Sequence, residues 1–203
     1  MHTLTLRALR CPLLLLLLVY GAYSPSAQPL QRKPTYTIDD TLRGSLNPER
    51  SWWNVQHYAL SVVPDFATRT ISGTNIIRFN STNAKAKPVM QIDLQSPMKI
   101  DSVLYEGRRV VCEKRGKDSW LVQLGTRSAA KKKIEQAITI HFSGTPRVAK
   151  NPPWDGGWIF TKDKEGRPWM TVACQGLGAS VWYPCKDHQS DEPDLGATLS
   201  ITV

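Results

Sequence analysis

The feature that most restricts the fold of this chain is a period-two pattern of large apolar residues beyond its midpoint. Ile134, Ile138, Ile140 and Phe142 all occupy even positions. Alternate side chains of an extended strand point to the same face, so this segment predicts a strand with one buried face. Shorter apolar runs, most of them alternating in the same way, occur at 58–62, 71–79, 90–94, 100–105, 110–112, 120–124, 169–174 and 197–203.

Turn residues separate these runs at intervals typical of an all-β domain. Pro64-Asp65, Glu106-Gly107-Arg108 and Gly144-Thr145-Pro146 all have the composition of turns. No segment shows a convincing 3.6-residue period, and only 129–136 could contain a helical turn. The sequence therefore predicts an all-β fold, an antiparallel sandwich or barrel.

Residues 1–27 have the composition of a cleavable signal peptide. Arg7 and Arg10 supply a positive start, 13–19 form a short apolar core, and 24–27 provide small residues for cleavage. The apolar core is too short for a membrane span, which needs about 20 residues. Export to the periplasm or the extracellular space follows, with an uncleaved signal anchor as the alternative.

The rest of the chain divides into a leader and one domain. Residues 28–50 are rich in proline and polar residues without clear periodicity, which predicts a leader lying on the surface. Residues 51–203 are long enough to form a single β-domain with its own core. Their last segment, 197–203, alternates as a strand and then stops, so we expect this domain to be incomplete at its C-terminal end.

The charge of the chain does not point to a particular partner. Residues 1–27 hold two of the 26 Lys+Arg and none of the 17 Asp+Glu, so the mature chain has a net charge near +7. Lys131-Lys132-Lys133 lies where a hairpin turn is expected, and a solvated turn explains such a run. Basic residues do not interleave with aromatic ones as in single-strand-binding surfaces, so no nucleic-acid partner is indicated.

The sequence lacks the motif of a catalytic zinc centre. Such a centre needs two histidines one helical turn apart, a third ligand and a glutamate that activates water, as in His-Glu-x-x-His. None of the four histidines belongs to such a motif; they are His2, His57, His141 and His188. We therefore assign no catalytic residue and no bound metal to this chain.

The acidic stretch after Cys185 is interpreted as a loop. It contains Asp187, His188, Asp191, Glu192 and Asp194. Oxygen ligands at short spacing can bind calcium, but the Asp-x-Asp-x-Asp-Gly pattern is missing. We expect Asp191 or Asp194 to accept hydrogen bonds from nearby backbone amides instead.

Two groups of side chains leave alternatives open. Four of the seven tryptophans fall within 29 residues, at Trp154, Trp158, Trp169 and Trp182. They could form an aromatic surface for sugar or peptide, or fill the packing between sheet and irregular loops, which we favour. Three cysteines remain after residue 27, and Cys174 and Cys185 could either pair across their loop or stay free, as an odd count favours.

The stretch from Trp169 to Asp194 carries a resemblance to a known family. A strand ends at Gln175, a small residue follows, and Tyr183-Pro184-Cys185 precedes Asp191-Glu192-Pro193. Together with a Gly-aromatic hairpin that begins at Gly156, this order resembles the N-terminal domain of the aminopeptidase N-like zinc metallopeptidases. The resemblance is specific over about forty residues and looser over 53–144, and the loop before Asp191 is longer than in the family.

This resemblance implies a fold, a site and a partner. It implies a saddle-shaped β-sandwich, and it places Gln175 on the family's substrate-contacting glutamine and Gly176 on the small residue whose backbone lines the first specificity pocket. The chain would thus supply substrate-binding surface to an exported zinc aminopeptidase that removes N-terminal residues from peptides. Zinc and catalysis would belong to a thermolysin-like domain that this sequence does not contain.

Two other functions remain open. A stand-alone exported β-sandwich could bind peptide or glycan through its tryptophans and basic surface, without catalysis. A non-catalytic paralogue could retain the domain for docking alone. The preferred N-terminal residue of a peptide substrate does not follow from the sequence.

Overall fold

The computed structural model describes residues 35–125, 134–189 and 192–202. The predicted signal peptide, most of the leader before residue 35, Lys131-Lys132-Lys133 and Asp191 lie outside these ranges. Residues from Tyr36 onward form one compact unit. Within the described ranges, none of the helices has the length and apolar character needed to cross a membrane.

The described part of the chain is built mainly from strands, numbered here in chain order. They are β1 (Trp53–Asp65), β2 (Thr70–Ser81), β3 (Val89–Asp93), β4 (Lys99–Tyr105), β5 (Arg108–Val110), β6 (Cys112–Arg115), β7 (Ser119–Gln123), β8 (Glu135–Gly144), β9 (Gly157–Lys162), β10 (Pro168–Ala173) and β11 (Ala197–Ile201). Helices α1 (Ile38–Gly44) and α2 (Pro48–Ser51) precede them, and a short 3-10 helix (Ala179–Val181) lies between β10 and β11.

The strands form a large sheet and two smaller ones. The large sheet has the order β11-β1-β2-β8-β4-β5, while β3-β7-β6 and the hairpin β9-β10 form separate sheets. Neighbouring strands are antiparallel except β1 and β11, which are parallel. A parallel pair needs a long connection, and the whole chain between these two strands supplies it.

The core lies between the apolar faces of the large sheet and the three-stranded sheet. Ile138 and Ile140 of β8 are fully buried and pack in one cluster with Met90 and Ile92 of β3. The predicted all-β sandwich is confirmed. The predicted start of the β8 alternation is wrong, because the strand begins at Glu135 and Ile134 is 59% exposed.

Residues 36–50 contain two short helices where the sequence showed no helical period, and most of their side chains lie at the surface. This part forms α1 and α2, and it buries Leu42 and Arg50. Helices of seven and four residues are too short to show a 3.6-residue period, so their signal lies in the caps. Thr37 and Asp40 form a reciprocal capping box at the start of α1, and Asn47 accepts a hydrogen bond from the Arg50 amide at the start of α2.

A buried ion pair connects this N-terminal segment to the sandwich. An Arg50 guanidinium nitrogen lies 2.5 Å from Asp93 Oδ2, and the two side chains are 0% and 6% exposed. Gln91 Nε2 and Ser119 Oγ donate to the other carboxylate oxygen, at 2.9 and 3.3 Å. The second terminal nitrogen of Arg50 donates to the carbonyls of residues 43 and 45 at the end of α1, at 2.7 and 3.0 Å.

Replacement of Arg50 should destabilise the chain strongly. Arg50→Met keeps most of the apolar stem but leaves the Asp93 carboxylate buried without its cation. We expect the free energy of unfolding to fall by about 3–5 kcal/mol, since breaking a buried pair strands a charge away from water. Urea unfolding followed by tryptophan fluorescence measures this loss.

Arg115→Met provides the matched control. The Arg115 guanidinium lies 3.6 Å from the Glu49 carboxylate, with the arginine side chain 45% exposed. Exposed pairs contribute at most about 1 kcal/mol, so this variant should remain close to the unsubstituted chain. Equal losses for the two variants would contradict a special role for the buried pair.

Candidate functional site

The two residues predicted to contact substrate lie on a tight turn directly after β10. The Cys174 carbonyl accepts hydrogen bonds from the amides of Leu177 and Gly178, at 3.1 and 2.9 Å. Gly176 has a φ of +71°, as the third residue of a type II turn requires. Gln175 and Gly176 therefore lie at the tip of this turn, as its second and third residues.

Both residues are accessible. Gln175 and Gly176 are exposed, and a Cβ built on Gly176 would meet no atom within 4 Å. Within the described ranges, the Gln175 side-chain amide has no hydrogen-bond partner. A side-chain amide can donate and accept at once, so Gln175 has the means to orient a peptide group placed beside it.

The C-terminal side of the turn is held from outside. The Leu177 carbonyl accepts a hydrogen bond from Gln95 Nε2 at 2.6 Å and another from the Arg43 guanidinium. Gly156 packs so closely that a Cβ there would lie 3.1 Å from the Gln175 carbonyl oxygen. The turn is thus fixed through its backbone, while the Gln175 side chain remains available.

Asp187 fixes the next part of the loop. Its carboxylate accepts from the Ser180 amide at 3.2 Å and from the Ser180 hydroxyl at 2.5 Å, while its own amide donates to Asp93 Oδ2 at 3.0 Å. Gly178 crosses in front of this carboxylate with φ 75° and ψ 178°, a region that only glycine adopts readily. The loop is therefore tied to the same buried carboxylate as Arg50.

The aromatic run at residues 181–183 does not continue as a strand. The 3-10 helix Ala179–Val181 precedes it and includes only its first residue. This helix forms because the Asp187 carboxylate bonds the Ser180 amide and the Gly178 conformation breaks the extended backbone. Pro184 then offers its carbonyl to Asn75 of β2 at 2.8 Å. This compact loop brings the turn and the sheet together.

The four clustered tryptophans divide into two pairs. Trp158 is 7% exposed and meets Trp182 edge-on at a centroid distance of 6.0 Å, in agreement with the favoured packing role. Trp169 and Trp154 are 56% and 80% exposed, so packing does not account for them. Trp169 lines an apolar groove of about 450 Å³ between the β9-β10 hairpin and the exposed strand β11.

Three free thiols are described, at Cys112, Cys174 and Cys185. Cys174 is exposed at the start of the turn, whereas Cys185 is buried. Burial raises the pKa of Cys112 to about 11 and that of Cys185 well above its ordinary value. Partial loss of hydration by neighbouring atoms also raises the pKa of Cys174, although its residue is exposed overall. Raised pKa values disfavour the thiolate, so none of the three is built as a nucleophile.

The histidines and acidic residues do not assemble a metal site in the described part of the chain. No group of three His, Cys, Asp or Glu side chains there could hold an ion. His141 Nδ1 instead lies 3.1 Å from the Thr74 hydroxyl. The Asp194 carboxylate accepts from the side-chain amides of Asn54 and Gln56, at 2.8 Å each. Backbone amides were expected for Asp191 or Asp194; Asp194 has side-chain donors instead, and Asp191 lies outside the described residues.

Sequence reasoning did not identify the residues that hold the turn. Gln95 follows β3, where Met90, Ile92 and Leu94 alternate with polar residues, and a period-two pattern alone gives no reason to expect a polar side chain at this position to be buried. Gln95 is in fact 6% exposed. Arg43 had no signal, since a side chain that bonds one distant backbone carbonyl leaves no pattern in the sequence.

The glycines at 176 and 178 should respond very differently to alanine. Both have positive φ, so each Ala variant carries about 1 kcal/mol or more of backbone strain. A Cβ on Gly178 would additionally lie 2.3 Å from Asp187 Oδ2 and displace it. We expect Gly178→Ala to lower the free energy of unfolding by at least about 2 kcal/mol more than Gly176→Ala does. Urea titrations of the two variants measure this difference, and similar losses would contradict this loop geometry.

Thiol labelling should distinguish the turn cysteine from the others. At pH 8 we expect Ellman's reagent to react with Cys174 in the native chain that begins at residue 28, because this is the exposed thiol among the described cysteines. Cys112, with a pKa of about 11, has only about one thiolate in a thousand at this pH. Cys174→Ser should abolish the early reaction, while Cys112→Ser should leave it unchanged; the reverse result would contradict the assigned exposure.

Comparison with known proteins finds a shared fold. No protein-family model matches the sequence, and the curated proteins give no significant match. Solved structures do match: yeast LTA4 hydrolase in complex with bestatin covers 84% of this chain at a TM-score of 0.58 and 20% identity. An M1 zinc metallopeptidase from Deinococcus radiodurans covers 73% at 0.54 and 20% identity.

These matches also define how much of those proteins the chain resembles. It spans 25% of the yeast protein and 31% of the bacterial one. A further structure of the Deinococcus radiodurans enzyme, bound to a Tyr-Ser-Ala substrate, has a TM-score of 0.50 at 18% identity. The chain therefore has the fold of an M1 aminopeptidase-like N-terminal domain, in agreement with the family resemblance of its sequence.

Proposed function

We propose that this chain is the substrate-facing N-terminal domain of an exported zinc aminopeptidase. In this role it contributes part of the surface that binds the N-terminal end of a peptide. Hydrolysis belongs to a further, thermolysin-like domain of the same protein.

The observation that carries this proposal is the turn after β10. Gln175 stands exposed at its tip with a side-chain amide that bonds none of the described residues, while the turn backbone is held by Arg43, Gln95 and the packing of Gly156. Because the backbone that carries Gln175 is already held, binding a peptide would order little more than the Gln175 side chain itself. Gly176 leaves open space in which a peptide side chain can approach the backbone.

Zinc does not fit the residues of this chain. The sequence has no His-Glu-x-x-His, and the described residues offer no three-ligand group. The metal, which activates water for peptide hydrolysis, is therefore assigned to the remainder of the longer protein. What this chain does is bind and orient the peptide.

A second candidate rests on the exposed tryptophan. Trp169 lines the apolar groove, whose other side includes Leu199 and Ile201 of β11. An aromatic ring over an apolar groove can bind a sugar ring or a peptide side chain. A binding module without catalysis is thus the alternative function.

The test uses the complete gene product, purified from the periplasm or the medium. We expect it to hydrolyse aminoacyl-p-nitroanilides. We expect Gln175→Ala to raise KM about two- to tenfold, with a smaller change in kcat, because the substitution removes one or two neutral hydrogen bonds to the substrate. Gln123→Ala, which truncates an exposed glutamine on β7, is the matched control and should leave KM unchanged.

Two results would contradict the proposal. A complete product that hydrolyses no aminoacyl substrate, with or without added zinc, would remove the enzyme function. Saturable binding of a peptide or glycan by that inactive product, lost in Trp169→Ala, would establish the binding-module alternative. Retention in the cytoplasm with an intact N-terminus would contradict export.

A further inference from the structure

We infer that Arg43 of α1 is a positioning residue for the turn that presents Gln175. This inference rests on the proposed function, because it assigns Arg43 to the same site. Arg43 lies 134 residues before Leu177, yet its guanidinium donates to the Leu177 carbonyl. The N-terminal segment thereby takes part in a site that it does not itself line.

The peptide unit between Leu177 and Gly178 is held at both ends. Its carbonyl oxygen accepts from Arg43 and from Gln95 Nε2, and its amide donates to the Cys174 carbonyl at 2.9 Å. A peptide unit is planar, so fixing both ends fixes its orientation. That orientation determines the direction in which the turn leaves β10.

External donors are needed because the turn is intrinsically soft. Glycine at positions 176 and 178 leaves two residues with wide freedom in φ and ψ. Gly178 is constrained by the Asp187 carboxylate, whereas a Cβ at Gly176 would meet none of the described atoms within 4 Å, so the space on that side of Gly176 is open. The tip depends on the bonds made at Leu177 for its position.

Arg43 is itself firmly placed. The Asp39 carboxylate accepts from the Lys117 amide at 2.8 Å, which attaches the start of α1 to the β6–β7 turn. The Arg43 carbonyl accepts from the Arg50 guanidinium at 2.7 Å, and Leu42 is buried between these contacts. The guanidinium that reaches Leu177 therefore extends from a helix attached at both ends.

Hydrogen–deuterium exchange on the full chain tests the contact without reference to activity. Arg43→Met keeps the stem and removes every donor; we expect the amides of Leu177 and Gly178 to exchange about tenfold faster, while the β2 and β8 amides remain unchanged. Arg43→Lys retains a charged donor without the fork and should restore part of the protection. Arg108→Met, an exposed arginine on β5, should change none of these rates.

Two exchange results overturn the inference. Unchanged exchange at Leu177 and Gly178 in Arg43→Met means that the arginine does not hold the turn. Acceleration of the β2 and β8 amides by the same factor means that the substitution loosens the whole domain, so that Arg43 has no specific role at the turn.

Kinetics of the complete gene product separate this inference from the proposed function. We expect Arg43→Met to raise KM more than it lowers kcat, and to add little when combined with Gln175→Ala, because both act through one contact. If Gln175→Ala raises KM and Arg43→Met does not, the positioning role is overturned. If neither raises KM while exchange at the turn still accelerates, Arg43 holds the turn and the proposed substrate contact is what fails.

Discussion

The pairing of Arg50 with Asp93 is the interaction on which the rest of the domain depends. Two charges removed from water require polar partners, since an unpaired buried charge costs several kcal/mol. Those partners come from α1, β3, β7 and the loop after β10, and so the pair fixes elements that lie far apart in the sequence. The Asp187 amide, which donates to Asp93, links this centre directly to the loop that carries the candidate site.

The sequence predicted the side of the sandwich that faces the apolar core and missed the opposite side of β3. Ile138 and Ile140 are buried as their even positions required. The same rule assigns Gln91 and Asp93 to solvent, yet both are buried beneath the N-terminal helices. A period-two pattern records only which side chains are apolar, so it cannot reveal a second buried layer built from paired polar groups.

At the candidate site, too, the sequence predicted some residues, while the contacts that hold them were visible only in the folded chain. Gln175 and Gly176 were identified through a family resemblance, and the structure has both exposed on one turn. The hydrogen bonds that hold this turn could not be predicted from the sequence, because Arg43 and Gln95 come from separate elements and meet only at the Leu177 carbonyl. A backbone acceptor is the same in every residue, so no sequence signal marks the one that is used.

The glycines of the turn make its backbone flexible, and the arginines of the N-terminal segment help to order it. Glycine at positions 176 and 178 leaves the backbone accessible at those two residues, and it also removes the side-chain packing that would order them. Order therefore has to come from hydrogen bonds made by residues outside the turn. Arg43 supplies one of these bonds and Arg50 holds Arg43, so the order at the surface derives from the buried ion pair. In the proposed function, a turn that is ordered before the peptide arrives would lose less entropy on binding, so these indirect contacts would increase the affinity for the peptide.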